Sequence, residues 1–301
     1  MTSVRDYYDF NTRRWFTRRR TPENIHREVW ADGVRSRSEA FQYVDQLVLR
    51  EVLAAVGEAE PPPHVLDLGC GVGSTLILLA ERAPIRGTGV TISPVQAAFA
   101  AERIQRAGLS GRLSCIEADY LQLPPSLAPA QIAFSIEAFI HAADTAAYFA
   151  SAARALAPGG LLVICDDFLT EQGAGPLPRR ASRHLDRLRR GWLASSLVTR
   201  AHADEHARRA GFVLMNDVDL TPGLRLRRPR DLVTGLVLPL GRLVPLPAWQ
   251  RESLIGGHAL QAALASGLVQ FRFVVWRLNG GDRDYRDTQR PVVSRQLSTS
   301  M

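Results

Sequence analysis

Two side chains in "SIEAFIH", Glu137 and His141, stand four residues apart where an apolar run ends. A carboxylate and an imidazole one helical turn apart can face a single cavity, and together they suit proton transfer or stabilisation of a cation. A second stretch, "VLDLGCGVGS", delivers Asp67 and then Gly69, Gly71 and Gly73 at alternate positions before a helix-like segment. Glycines there let the backbone turn tightly and approach a ligand closely, and the helix start beyond offers free N–H groups. The spacing is G-x-G-x-G, not the G-x-G-x-x-G of dinucleotide binders. Further candidates are Asp119 in "IEADYLQLP" and the pair Asp166 and Asp167 in "CDDF". His202 and His206 share a helix face but lack a third ligand, so no metal site is expected there.

These residues need elements to hold them. Residues 64–70, 86–93, 113–119, 132–138 and 161–168 read as strands, and 74–83, 94–108 and 144–157 as helices. Pro94 suits a helix start, Gly108 a helix end, and Asp144 an N-cap, with "PGG" closing that third helix. Such alternation argues for a parallel sheet covered on both faces, whose ligands sit at the C-terminal strand ends. After residue 169 come an arginine-rich amphipathic helix (178–197), a second helix (200–211), a strand (212–220), a helical section around 249–267 and a last strand (269–278). The tail from Asn279 to Met301 is polar and aperiodic and is expected to be disordered.

Composition narrows the class. The chain has 301 residues, 46% hydrophobic and 22% charged, enough for a sizeable core. All 37 basic residues are arginine, and the net charge of +7 favours anionic partners. Cys70, Cys115 and Cys165 have no metal-like spacing, and their odd number suits a reducing cytoplasm. The arginine-rich N-terminus lacks the apolar core of a secretory signal, and no run is long enough to span a membrane. The apolar stretch 232–247, broken by glycine, arginine and proline, reads as a pocket wall or a self-association surface.

With these motifs in order, the sequence resembles the class I S-adenosylmethionine-dependent methyltransferases, from about Leu47 to Leu278. The resemblance implies a Rossmann-like α/β fold with a mostly parallel seven-stranded sheet. It also implies an N-terminal helical lid (1–45), a core (46–278) with cap insertions near 170–210 and 222–267, and a tail (279–301). "GTGVTISPVQ" is similar to the branch containing sterol methyltransferases, cyclopropane fatty acid synthases and geranyl diphosphate methyltransferase. Asp67, Gly69, Gly71 and Gly73 would then hold S-adenosylmethionine, Thr91 and Gln96 its ribose, and Asp119 its adenine.

"SIEAFIHAAD" resembles sterol methyltransferases, where a glutamate takes the same place. The leading expectation is methyl transfer to an alkene carbon of an isoprenoid, such as a prenyl diphosphate, with Glu137 stabilising the cation and removing a proton. The same Glu/His pair suits O- or N-methylation of a natural product. A third reading makes the arginine surface primary and the chain an RNA-binding methyltransferase or a non-catalytic binding module, although no RNA-binding domain is recognisable. Tyr7, Tyr8, Trp15, Phe16 and Trp30 would line an apolar pocket, and His26, Arg27 and Asp167 would meet the acceptor. Asp166 and Asp167 would orient the acceptor or help hold a hydrated Mg2+ accompanying a diphosphate, or else cap the following turn. Arg18–Arg20 and the arginines at 179–190 are read as solvated faces or, alternatively, a phosphate grip.

Overall fold

The computed structural model describes residues 3–16, 26–56, 61–127, 129–226 and 248–280. Seven strands form one sheet: β1 (His64–Leu68), β2 (Arg86–Thr91), β3 (Leu113–Glu117), β4 (Ala130–Ile136), β5 (Leu156–Leu169), β6 (Phe212–Asp219) and β7 (Val269–Leu278). Their order across the sheet is β3-β2-β1-β4-β5-β7-β6. The first five strands are mutually parallel, and β7 lies antiparallel between β5 and β6. The strand order reverses between β1 and β4, and in such sheets the crevice outside the strand C-termini at that point receives ligands.

Helices α1 (Val4–Phe16), α2 (Arg37–Val56), α3 (Ser74–Arg82), α4 (Pro94–Arg106), α5 (Thr145–Ala155), α6 (Glu171–Ala174), α7 (Arg179–Trp192), α8 (Arg200–Arg209) and α9 (Ala248–Ala265) complete the described chain. The two faces of the sheet are covered by different helices, which explains why the central strands β1 and β4 are buried along nearly their whole length rather than at alternate residues. On one face Val65, Val163, Phe271 and Phe273 pack against α2, α3, α7 and α9. On the other, Leu66, Leu162, Ile164 and Trp276 pack against Tyr148 and Phe149 of α5 and Ala203 and Ala207 of α8.

Local chemistry sets the helix starts. Ser93 N-caps α4 by accepting from the Gln96 N–H, with Pro94 next, and Asp144 caps α5 through the Ala147 N–H. Three boundaries differ from the sequence reading. The third helix stops at Ala155, and "LAPGG" opens β5 because Leu156 already pairs with Ala130 before a bulge. Helix α7 ends at Trp192, where Leu193 turns left-handed at φ 52°. Helix α2 runs through the 45/46 position expected to divide lid from core. The apolar stretch 232–247 and Arg18–Arg20 lie outside the described residues, as do the side chains of Trp15 and Phe16 and the tail from residue 281.

Candidate active site

A cavity of about 440 Å³ opens where β1 and β4 part, walled by α1, the glycine loop after β1 and the turn after β4. Gly69, Gly71 and Gly73 have φ of 98°, 53° and 76°, left-handed values that tax any residue with a Cβ. A Cβ on Gly69 would stand 2.4 Å from that of Ala138, so this loop can lie against the end of β4 only as glycine. Gly71 meets nothing nearer than Gln96 Nε2 at 4.0 Å and borders open space. Gly73 lies back from the cavity wall, at the start of α3. Asp67 projects into the wall from the end of β1, and its burial pushes its carboxyl well above the usual range.

Thr91, at the end of β2, donates its hydroxyl to Gln96 Oε1 at 2.8 Å, and both side chains are buried on the wall. That bond uses the Gln96 carbonyl and leaves its amide hydrogens for other partners. Asp119 also reaches the wall and accepts from the Leu121 N–H at 2.9 Å, capping a short 3-10 turn. The cofactor candidates other than Gly73 therefore share one cavity.

The opposite end is built on an irregular turn. Glu137 has φ 51°, rare for a residue with a long side chain, and its N–H donates to the Cys165 carbonyl at 2.9 Å. A 3-10 turn, Phe139–His141, follows. Glu137 and His141 reach the same cavity, but through this left-handed residue and 3-10 turn instead of the helical spacing that suggested their pairing.

Arg27 holds Glu137. Its backbone N–H donates to Glu137 Oε1 at 2.8 Å, and its Nε lies 3.4 Å from Oε2. Its guanidinium forks onto Asp167, with Nη1–Oδ1 at 2.7 Å and Nη2–Oδ2 at 2.5 Å, above the Phe271 ring at 4.6 Å. The neighbouring carboxylates raise the Arg27 pKa against the opposing effect of burial, so it stays charged. Asp167 is fully buried and absent from the wall, because Arg27 covers it. The structure thus corrects its expected place against the acceptor: Asp167 anchors the arginine that anchors Glu137.

Asp166, its neighbour, does reach the wall and accepts from the Ile140 and Asp167 N–H groups. Burial, with the Asp167 charge, pushes Asp166 up to about 8. Asp166, not the expected Asp167, is the one at the cavity: strand alternation sends the two to opposite faces, and only the fold shows which face bears the cavity.

His141 Nε2 lies 2.8 Å from the Tyr8 hydroxyl, and Nδ1 lies 3.4 Å from the Leu193 carbonyl. The tautomer that satisfies both carries its proton on Nδ1 and accepts from Tyr8. Burial lowers the His141 pKa, which favours this neutral ring. Tyr7 reaches Ser253 of α9 at 3.1 Å, and Ser93 donates to Asp9 of α1. Arg5 donates to Glu117 of β3 at 2.9 Å, so helix α1 is tied down at these four places. His26 Nε2 lies 3.0 Å from Thr75 Oγ1, whose own hydrogen goes to Asp45 at 2.7 Å, so His26 is the donor. Trp30 turns away from the cavity: its ring lies under Arg225 and its Nε1 donates to Glu28 at 3.2 Å. Trp192 and Tyr120, which sequence reasoning did not single out, wall the cavity. Tyr120 directly follows Asp119 in "IEADYLQLP", whereas Trp192 arrives from the end of α7, distant in sequence.

His202 and His206 sit Nε2 to Nε2 at 3.1 Å on exposed α8. Among the described residues no three His, Cys, Asp or Glu side chains form a group able to hold a metal ion. No helix of the described residues is long and apolar enough to cross a membrane.

Comparison with known proteins agrees with the layout. Residues 65–160 match a family described as a methyltransferase domain. An O-methyltransferase of Pyrenophora dematioidea is 32% identical over 142 residues, 47% of this chain and 52% of that protein. A 24-methylenesterol C-methyltransferase 2 of Oryza sativa subsp. japonica is 28% identical over 208 residues, 69% of this chain and 54% of that protein. The chain thus spans about half the length of the curated relatives it matches. Among solved structures, a putative sarcosine dimethylglycine methyltransferase from Galdieria sulphuraria superposes with a TM-score of 0.70 at 20% identity, over 91% of this chain and 99% of that one. Geranyl diphosphate C-methyltransferase from Streptomyces coelicolor A3(2) gives 0.62 at 17% identity, over 90% and 98%. The fold is the Rossmann-like methyltransferase fold, and the chain carries a methyltransferase domain.

Proposed function

We propose that this methyltransferase domain serves a small-molecule C-methyltransferase, moving a methyl group from S-adenosylmethionine to an alkene carbon of an isoprenoid held in the cavity. The observation that carries this reading is the charge at the cavity floor. Glu137 and Asp167 flank one arginine, and Asp166 lies beside them. Even with Asp166 protonated, two carboxylates around one guanidinium leave a net negative floor. Such a floor favours an acceptor that becomes cationic, as an attacked alkene does, over one that must become an alkoxide.

The residues fit the cofactor. The glycine loop bordering open space at Gly71, the polar pair Thr91 and Gln96, and Asp119 form a continuous wall for a nucleoside joined to an amino acid. When bound, S-adenosylmethionine supplies an electrophilic methyl on a sulfonium. An alkene carbon of the acceptor would take that methyl as its bond to sulfur breaks, leaving S-adenosylhomocysteine and positive charge on the adjacent carbon. The rings of Tyr8 and Trp192, on the cavity wall, would lie near this charge, and the Glu137 carboxylate would stabilise it and take the proton whose loss restores the alkene. Arg27 keeps Glu137 in place and is itself committed to carboxylates. A diphosphate would therefore be met by Arg5, on the cavity wall, drawn from its 2.9 Å ion pair with Glu117. Any Mg2+ would have to arrive with it, since Asp167 is occupied.

The test is incubation with S-adenosylmethionine and prenyl diphosphates, their alcohols and sterols, read by mass spectrometry. A gain of one methyl on carbon is expected, with Glu137→Gln lowering turnover by about 10²–10⁴-fold and leaving cofactor affinity unchanged. Wild-type turnover in that variant would sink the proposed role of Glu137. One observation favours a second reading: neutral His141 already accepts a hydroxyl hydrogen, from Tyr8, where an acceptor hydroxyl could stand. Fragmentation showing an O-methyl product, lost in His141→Gln, would select O-methylation.

A further inference from the structure

Beneath the glycine loop, the thiols of Cys70 and Cys115 lie 3.5 Å apart, Sγ to Sγ. They belong to segments two strands apart: Cys70 follows β1, Cys115 lies in β3, and β2 runs between. They meet because β2 carries Gly89 at that point. A Cβ there would stand 2.7 Å from Cys70 Sγ and 3.7 Å from Cys115 Sγ, so any other residue would occupy the space between the thiols. Cys70 also forms part of the cavity wall, and its N–H donates to the Val90 carbonyl at 2.9 Å. From these contacts we infer that Cys70 and Cys115 form a redox-active pair, closing to a disulfide that distorts the glycine loop and weakens cofactor binding.

The chemistry is suited to a hydroperoxide. Either thiol can donate to the other, and Cys70 also reaches the Gly71 carbonyl at 3.6 Å. Contact with Cys70 lowers the Cys115 pKa, while that contact and burial raise the Cys70 pKa. Cys115 is also the more exposed of the two, which makes it the first nucleophile. Its thiolate attacks one peroxide oxygen, the O–O bond breaks, and a sulfenic acid and one water result. The Cys70 sulfur then displaces the sulfenic hydroxyl, which leaves as a second water as the S–S bond forms. Two electrons and two thiol hydrogens leave the protein, and hydrogen peroxide is reduced to water. A thiol reductant reverses the change by exchange.

Closing the gap to a bond requires the sulfurs to approach by about 1.5 Å. Cys115 is fixed in β3 through its pairing with Gly89, whereas Cys70 sits in an irregular loop between two left-handed glycines. Cys70 therefore moves, and Gly69 and Gly71 move with it. This coupling rests on the reading that the glycine loop holds S-adenosylmethionine; the bond itself does not.

The experiment treats the full chain with hydrogen peroxide, maps the peptides without reduction, and measures S-adenosylmethionine binding by calorimetry before oxidation, after it, and after dithiothreitol. A Cys70–Cys115 cross-link is expected, with Cys165 unmodified, affinity weakened by about tenfold or more, and recovery on reduction. Cys115→Ser should bind the cofactor and ignore peroxide; Cys115→Ala serves if the serine variant fails to fold. Oxidation of Cys115 without a cross-link overturns the pair, and a cross-link with unchanged affinity overturns the coupling. Reduced protein that binds no cofactor would overturn the functional reading and the coupling with it, while the peptide map still decides the bond.

Discussion

Glu137 holds its place in the site at a backbone cost. A left-handed φ of 51° disfavours a residue with a Cβ by roughly 1–2 kcal/mol. Glu137→Gly and Glu137→Ala both delete the carboxylate, so their difference isolates the backbone. The glycine variant should be the more stable by about 1 kcal/mol in urea melts, and equal midpoints would show that the turn relaxes at no cost. Asp166 makes a different kind of demand. Its folded pKa of about 8 lies far above the unfolded value, so the folded state holds an extra proton between those limits. Stability from this group is present in full below the unfolded pKa, falls as pH rises through the window, and is lost above about 8. His141, lowered by burial, acts oppositely and only up to its unfolded value, near 6.5. Melting temperatures of Asp166→Asn should therefore show a shallower decline than wild type between neutrality and pH 8.5. Parallel curves would rule out the raised carboxyl.

At the scale of elements, helices α7 and α9 meet with almost no clearance. A Cβ on Gly191 would stand 2.4 Å from the Glu252 carbonyl oxygen and 2.7 Å from Gly256 Cα. Both are backbone atoms, so Gly191→Ala must push the helices apart, at about 1–3 kcal/mol in a denaturant melt. An unchanged midpoint would mean that α9 slides freely. Trp192, next in sequence, walls the cavity, so the same variant should also loosen acceptor binding.

The strands and most helix limits were legible because their cues are local: Ser93 and Pro94 before α4, Gly108 after it, Asp144 before α5. What escaped depends on partners far along the chain. "LAPGG" looks like a helix end until Ala130 supplies a strand neighbour. Asp167 looks like a ligand until Arg27, 140 residues away, covers it. Trp30 looks like a pocket aromatic until Arg225 covers it. Spacing cues told which residues could meet within one element, and the glycine loop was the longest stretch whose geometry they specified.

For the whole molecule, the rigid sheet and the tied-down α1 divide the labour. The strand ends fix Asp67, Thr91 and Glu137, while α1 reaches the body through Arg5, Tyr7, Tyr8 and Asp9 on side-chain bonds. Hydrogen exchange should then slow in α1 and the glycine loop when S-adenosylmethionine is added, with β4, β5 and β7 unchanged. Protection spread evenly over the sheet would argue against a separately moving α1.

The position of β7 bears on how the chain comes into being. The last described strand is inserted between β5 and β6, both made earlier. Until residues 269–278 leave the ribosome, β5 has an open edge and β6 has no sheet to join. A nascent chain halted before Val269 would expose two unpaired strand edges, the kind of surface on which chains stick to one another. The parallel half of the sheet can form while translation continues, but closure waits for residues 269–278, and the burden of avoiding self-association falls in that interval.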